Sequence, residues 1–259
     1  MQEISPFEFR KRFAISKSIA IVGNAPTIMD HENGAKIDSF DLVVRFNRAT
    51  TLGLETKIGS RTDILVVNAN NSLDRAPSPA ETVKPKCVVL FISPRGVPGA
   101  NLEAFSQWVG DLPILIAFGP DLFGVPGGDR QRPLTSGTYV LHMLMGMLQP
   151  KRLFVTGFTM FGAVGGPAKK YYDDPRGSVG HFHDIDVEQK IFSELLSRFS
   201  GDLVLTSDVQ DLCEGVKTKT TTGVGGKVVT RIADGLSWRM IRFGLQLRRI
   251  AEGKASGAN

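Results

Sequence analysis

The side chains of this sequence best suited to accept a proton near neutral pH are four histidines: His31, His142, His181 and His183. His142 sits inside TYVLHMLMGML, among leucines and methionines, and reads as a packed residue. His31 falls in a polar turn, DHENG, and reads as solvated. His181 and His183, in GHFHDIDVE, lie where a long loop meets a helix, a place where functional groups gather. Either has the chemistry of a general base. Glu188 follows His183 by five positions, and within one helix that spacing turns about 140°. Glu188 therefore orients His183, or anchors the loop backbone, only if the histidine lies ahead of the helix.

A second group of residues has the types that hold a polar or anionic ligand. IVGNAPT places Gly23 and Asn24 just after an apolar run, where a glycine lets backbone approach a ligand closely. One glycine is not GxGxxG, and the loop is too short for a P-loop. DLVVRFNRATT puts Arg45, Asn47 and Arg48 at the end of an apolar strand, and in open α/β sheets ligands bind beyond the carboxyl ends of strands. Arg45 alternates with Phe46 and so points to the opposite face. Pairing with Asp38 or Asp41 to pin the loop is the reading for Arg45, and Arg48 reads as solvent-exposed. In RPLTSGTYVL, Thr135, Ser136 and Gly137 stand at a helix start, where free N–H groups and the helix dipole suit an anion. The acids of HDIDVE, Asp184 and Asp186, and the pair Asp173–Asp174 have metal-ligand chemistry. Asp184 and Asp186 are better explained as first-turn acids opposing a helix dipole, so no metal is expected.

These residues need a scaffold, and the apolar runs supply one. SKSIAIVG, FDLVVRFN, TDILVVN, KCVVLFI, LPILIAFG, RLFVTGF and DLVLTS read as buried strands. NLEAFSQWVG, TYVLHMLMGML and DVEQKIFSELLSRF read as helices between them. Continuously apolar strands alternating with helices and long loops predict an α/β fold, a single Rossmann-like domain with a mostly parallel sheet covered on both faces. The domain is expected over residues 1–215, followed by a flexible polar linker over 216–227 and a basic amphipathic helical tail over 228–259. In that tail Ile232, Leu236, Met240, Phe243, Leu247 and Ile250 recur at helical spacing, with Arg231, Arg242 and Arg249 on another line. Docking on protein and lying on an anionic membrane surface both fit it.

The net charge of +5 favours anionic ligands or surfaces without reaching a nucleic-acid-binding signature, so no nucleic-acid partner is expected. Cys87 and Cys213 read as free thiols in a reducing compartment. The opening MQEISPFEFRKRF has no long apolar run, and no stretch approaches the roughly 20 apolar residues of a membrane span. A cytoplasmic location, peripheral on the inner membrane, is expected.

Read as one block, VGNAPT…NGAKIDSFDLVVRFNRATTLGLETKIGSRTD closely resembles the large sialyl motif of the animal and plant type sialyltransferases. The likeness covers Val22 to about Asp63 and keeps Gly23, Asn24, Ile37, Asp38, Asp41, Val43, Arg45, Asn47, Gly53, Gly59 and Thr62. RPLTSGTYVLHMLMGMLQPKRLFVTGF looks like the small sialyl motif, KKYYDD like the short third motif, and HFHDIDVE like the last, and they occur in family order. The resemblance implies a GT-A-like variant of the Rossmann architecture. It also implies an inverting, metal-independent glycosyltransferase that needs no cofactor and moves a keto-acid sugar, sialic acid or Kdo-like, from a CMP-sugar to a hydroxyl of a glycan or glycolipid. By resemblance, Asn24 and Asn47 bind the phosphate and ribose, with Gly23, Thr135, Ser136, Gly137, Lys170 and Tyr171 completing the CMP-sugar site. The last motif selects His183 as base over His181, with Glu188 a further candidate. Lipopolysaccharide or capsule synthesis is the implied setting.

Two departures stand out. The cysteines that animal members place in the large and small motifs are replaced at about Ile19 and Pro150, as suits a bacterial, cytosolic version. Lys170 stands where the short motif usually has histidine, a fixed cation able to meet a phosphate or a sugar carboxylate. Two other functions compete. A nucleotide-dependent oxidoreductase lacks both GxGxxG and an acid at the end of the second strand, where Asn47 stands. Against a non-catalytic nucleotide- or glycan-binding protein that keeps the fold but not the chemistry stand the retained His183, Asn24, Asn47 and Ser136.

Overall fold

The computed structural model of the chain describes residues 2–68, 82–92, 102–118, 133–160, 170, 171 and 183–220, with Leu102, Phe118 and the last six by backbone only. Eight strands form one sheet: β1 (Gln2–Glu3), β2 (Ser18–Val22), β3 (Leu42–Phe46), β4 (Ile64–Asn68), β5 (Cys87–Ile92), β6 (Pro113–Phe118), β7 (Arg152–Thr156) and β8 (Asp202–Leu205). Their order is β1-β6-β5-β4-β3-β2-β7-β8, and every pairing is parallel. From β2 the chain steps outward through β3 to β6 on one side, then returns to lay β7 and β8 on the other. The strand order therefore reverses between β2 and β7, where an open parallel sheet forms a crevice at its carboxyl edge.

Alternation along the strands divides the core in two. Ile19, Ile21, Leu42, Val44, Leu153 and Val155 face one layer, packed against α1 (Pro6–Phe13), α5 (Ser136–Leu148) and α6 (Ile185–Ser197). Ala20, Val22, Val43 and Phe154 face the other, covered by Ile28, Ile37 and Ile58 from a 3-10 turn (Pro26–Asp30), α2 (Gly34–Asp38) and α3 (Glu55–Ile58). The helix α4 (Leu102–Val109) closes the far end of the sheet through Phe105, Trp108 and Val109. Strands buried on both sides need apolar residues at every position, which explains their unbroken hydrophobic runs.

All seven strands legible in the sequence are present. The edge strand β1, the helix α1 and a last helix, α7 (Ser207–Thr220), are additions. A sequence signal for α1 exists: Ser5 and Glu8 form a reciprocal capping box, and Pro6 opens the helix. The first residues of the 216–227 stretch are helical, since α7 continues to Thr220. The tail over 228–259 lies outside the described residues, and no described helix is long and apolar enough to cross a membrane. Both cysteines are free thiols, and burial pushes that of Cys87 up to about 12.

The charged residues around β3 brace loops. Arg45, 1% exposed, does not pair with Asp38 or Asp41 as its spacing suggested. Its guanidinium donates to the carbonyls of Arg61 (2.8 Å) and Ile58 (2.5 Å), on either side of the Gly59–Ser60 turn, whose backbone it braces. Asp38 accepts from the N–H groups of Ser60 and Arg61, and Asp41 from those of Lys17 and Ser18. Asp63 accepts from Val43 N–H and pairs with Arg61 (2.9 Å) and Lys86 (2.7 Å). Arg48 is half-buried rather than exposed.

Burial works against the charge of Asp38, but its donors from Ser60 and Arg61 and the Arg45 cation overcome it, so its carboxyl is held below the usual range. The N–H groups of Lys17 and Ser18 do the same for Asp41. A depressed folded pKa contributes stability that is present above the unfolded value, about 3.9, and lost as pH falls through the folded one. Melting temperature is therefore expected to drop on acidification below about pH 4. The double variant Asp38→Asn/Asp41→Asn should start lower and fall less steeply; an unchanged slope in thermal melts contradicts this role.

Candidate functional site

The loops after β2 and β7 meet at the reversal of strand order. Gly23 N–H donates to the Thr156 carbonyl (2.8 Å) and Ala25 N–H to the Gly157 carbonyl (3.0 Å). A methyl group on Gly23 would lie 2.1 Å from Gly157 O, so only glycine fits. Gly157 has φ 72°, a left-handed turn that sends Phe158, Thr159 and Met160 back over the sheet edge. Asn24 Nδ2 donates to the Phe46 carbonyl (3.3 Å), tying the first loop to the end of β3. Asn47 follows with φ 57°, a left-handed conformation that asparagine tolerates better than most residues. Its N–H donates to the Val66 carbonyl (2.7 Å).

A cleft of about 130 Å³ opens there. Gly23, Asn24, Asn47, Thr135, Ser136, Gly137 and Lys170 all line it, although they are scattered over the chain. Lys170 is the one charged side chain among its described lining residues. Ser136 and Gly137 open α5, whose first N–H groups and positive dipole end stand at the cleft wall. Gly137 is required by Phe158, whose ring would lie 2.8 Å from an added Cβ. Phe158 stands edge-on to Phe46, with centroids 5.9 Å apart and planes at 86°. Phe158, Thr159 and Met160 are lining residues that the sequence reading passed over; the strand-ending glycine of VTGF was the available signal.

Tyr171, Glu188 and His183 stand outside the lining and support it. Tyr171 N–H donates to the Asn24 carbonyl (3.2 Å) and its hydroxyl to the Thr50 carbonyl (3.0 Å), so it joins the loops after β2 and β3. Burial pushes its phenol up to about 12, against the pull of Arg45. Glu188, 0% exposed, accepts on Oε1 from Thr135 N–H (2.9 Å), the Thr138 hydroxyl (2.7 Å) and the Thr135 hydroxyl. Burial pushes its carboxyl up, while these donors and His183 oppose the shift. His183 lies ahead of α6, and Asp184 is the N-cap that accepts from Val187 N–H (3.2 Å). His183 Nδ1 lies 2.5 Å from the Pro133 carbonyl. A carbonyl only accepts, so Nδ1 carries the hydrogen and Nε2 is the basic nitrogen of the neutral ring.

His183 and Glu188 thus both hold the 133–135 turn, one on each side of the helix start. His181 and the second tyrosine of KKYYDD lie outside the described residues. His142 is half-buried on α5. His31 is less solvated than expected: its Nε2 lies 3.5 Å from Asp208, which also accepts from the Thr27 hydroxyl (2.7 Å). Among the described residues no group of three or more His, Cys, Asp or Glu side chains could hold a metal ion.

A wholly parallel sheet with polar residues gathered at its switch point defines a Rossmann-like α/β protein with a cleft shaped for a polar, anion-bearing ligand. Residues 5–95 match the family model of glycosyltransferase family 29 (sialyltransferase). Over 53 residues the chain is 42% identical to beta-1,6-galactosyltransferase GALT29A of Arabidopsis thaliana, covering 20% of this chain and 13% of that protein. Over 52 residues it is 44% identical to a CMP-N-acetylneuraminate-beta-galactosamide-alpha-2,3-sialyltransferase 1 of Mus musculus, covering 20% of this chain and 15% of that protein. These matches span a small part of either relative. The fold is similar to that of a mammalian sialyltransferase crystallised with Gal-beta-1-3GalNAc-ortho-nitrophenol, with a TM-score of 0.52, 20% identity, and coverage of 76% of this chain and 71% of that one.

Glu188 gives the site its most exposed structural test. Glu188→Ala leaves an N–H and two hydroxyls at the α5 start without their acceptor, at about 1–3 kcal/mol for each buried group left unsatisfied. Chemical denaturation should show a clear loss of stability, and Glu188→Gln, which keeps an acceptor oxygen, a smaller one. A Glu188→Ala protein as stable as the parent contradicts the anchoring.

Proposed function

We propose that this protein is a glycosyltransferase that moves a keto-acid sugar, sialic acid or a Kdo-like relative, from a CMP-sugar to a hydroxyl of a glycan or glycolipid. The observation that carries the reading is the convergence of Asn24, Asn47, Ser136 and Lys170 on one cleft, from separate blocks of sequence. The family match over residues 5–95 supports it. The relatives are named for galactose transfer in one case and sialic acid transfer in another, so the sugar is assigned from the chemistry of the cleft. Its one described cation, Lys170, suits a donor that carries both a phosphate and a carboxylate.

In this mechanism the bond between the anomeric carbon and the CMP phosphate breaks first, toward an oxocarbenium-like centre. Fixed donors at the α5 start and the amides of Asn24 and Asn47 stabilise the departing phosphate. The acceptor hydroxyl attacks from the opposite face, inverting the centre, and His183 Nε2 takes its proton. Pro133 fixes the tautomer that leaves Nε2 basic, and Glu188 holds the turn that carries Pro133. CMP leaves with a single phosphate, so the reading requires no metal or cofactor. A cytoplasmic site of action, peripheral on the inner membrane and supplying lipopolysaccharide or capsule, fits a glycolipid acceptor.

His183→Ala should lower transfer by about 10²–10⁴-fold while CMP affinity stays near that of the parent. Transfer at the parent rate removes His183 as base. Asn47→Gly keeps the left-handed backbone and deletes only the amide, so weakened CMP binding in it and in Ser136→Ala locates the nucleotide. Unchanged affinity in both moves the nucleotide elsewhere. Transfer should survive EDTA; complete loss restored by Mg²⁺ overturns the metal-free mechanism.

A further inference from the structure

We propose that the outer face of α1 docks on a bilayer bearing anionic phospholipid headgroups. Four large hydrophobic residues are exposed among the described ones: Phe7 (67%), Ile15 (84%), Leu52 (87%) and Val187 (38%). Two of them belong to α1 and the residue pair that ends it. Phe9 and Phe13 fix the buried side of this helix, at 0% and 3% exposure. With about 100° between successive residues, Phe7, Glu8, Lys11 and Ala14 fall on the opposite side, Ile15 continues the row, and Arg10 and Arg12 flank it. That side therefore presents an aromatic ring and a branched aliphatic chain with Lys11 between them and Arg10 and Arg12 at its margins.

Charge complementarity selects the occupant. Arg10, Lys11, Arg12 and Lys17 are exposed, and no ion pair engages them among the described residues. Arg12 donates to the Lys86 carbonyl at 3.5 Å and attracts Glu8 one turn back without an ion pair. The nearby acids are Glu3, Glu8 and Asp41; Glu8 is held by the Ser5 backbone and hydroxyl in the capping box, and Asp41 by the N–H groups of Lys17 and Ser18. A folded α1 pays no ordering entropy on meeting a membrane, unlike a helix that must form there. Anionic headgroups attract the cations, and Phe7 and Ile15 enter the layer between headgroups and acyl chains. A nucleic-acid backbone has no use for the exposed aliphatic Ile15. α1 connects β1 to β2 and so lies along one side of the sheet. A bilayer against it leaves the carboxyl edge, and the cleft, open toward glycolipid headgroups at its side.

The test is sedimentation of the full-length protein with phosphatidylserine/phosphatidylcholine vesicles and with pure phosphatidylcholine vesicles, at low and high salt. The parent should sediment with the anionic vesicles only, and less as salt rises. Arg10→Ser and Lys11→Ser should each weaken partitioning by roughly fivefold. Phe7→Ser/Ile15→Ser should weaken it by roughly tenfold. Melting temperatures should stay at the parent value, since all four side chains are exposed. A full-length variant with Arg242, Arg248 and Arg249 changed to serine separates the tail from α1. The proposal is overturned if the α1 variants sediment like the parent, if the tail variant alone abolishes binding, or if the protein binds heparin or DNA but ignores anionic vesicles.

Discussion

The site depends on a contact between two backbones. Gly23 and Gly157 end the two central strands, and Gly23 N–H reaches across to Thr156 O at 2.8 Å. Because neither residue has a side chain, the loops after β2 and β7 leave the sheet in contact, not splayed by side chains. Everything on the cleft floor follows from that separation. Asn24 is brought within reach of the Phe46 carbonyl, and Phe158 lies against both Phe46 and the start of α5. Gly137 repeats the device at the third side of the cleft, where a Cβ would meet the Phe158 ring.

Around this floor the polar residues divide into two kinds. One kind lines the cleft: Asn47, Ser136 and Lys170, with Asn24 lining it while its amide also donates to the Phe46 carbonyl. The other kind is turned into the protein and satisfies backbone groups. Arg45 caps two carbonyls, Asp38, Asp41 and Asp63 accept from backbone N–H groups, and Glu188 accepts at the α5 start. Loops that leave a sheet edge carry many donors and acceptors without ladder partners, and burying them unpaired is costly. A short segment dense in charged residues therefore marks a site partly by what it holds in place, and Arg45 belongs to this second kind.

The sheet was legible because strands covered on both faces must be apolar at every position, and IAIV, LVVRF, ILVVN and CVVLFI meet that demand. The switch point was not legible: strand order depends on which loops cross the sheet, and no local pattern records it. The cleft residues Gly23, Asn24, Asn47, Thr135, Ser136, Gly137 and Lys170 come from three separated blocks whose fixed offsets survive where tertiary contacts cannot be read. Arg45 was assigned to the right face by alternation but to the wrong partners, since carbonyls carry no signature in sequence. The role of Glu188 depends on where α6 begins: the N-cap at Asp184 puts His183 ahead of the helix, and the donors from Thr135 and Thr138 make Glu188 an anchor of the α5 start. Helix α7 was missed because its apolar positions, Val209, Leu212 and Cys213, are few and polar residues dominate the rest.

The central claim is that the β2–β7 cleft is a nucleotide-monophosphate site with a preference for cytidine. Calorimetric titration of the full-length protein with CMP, UDP, GDP and NAD measures it directly. The account predicts that CMP binds at a single site and more tightly than the other three. Preferential binding of NAD, or no binding of CMP, would contradict it.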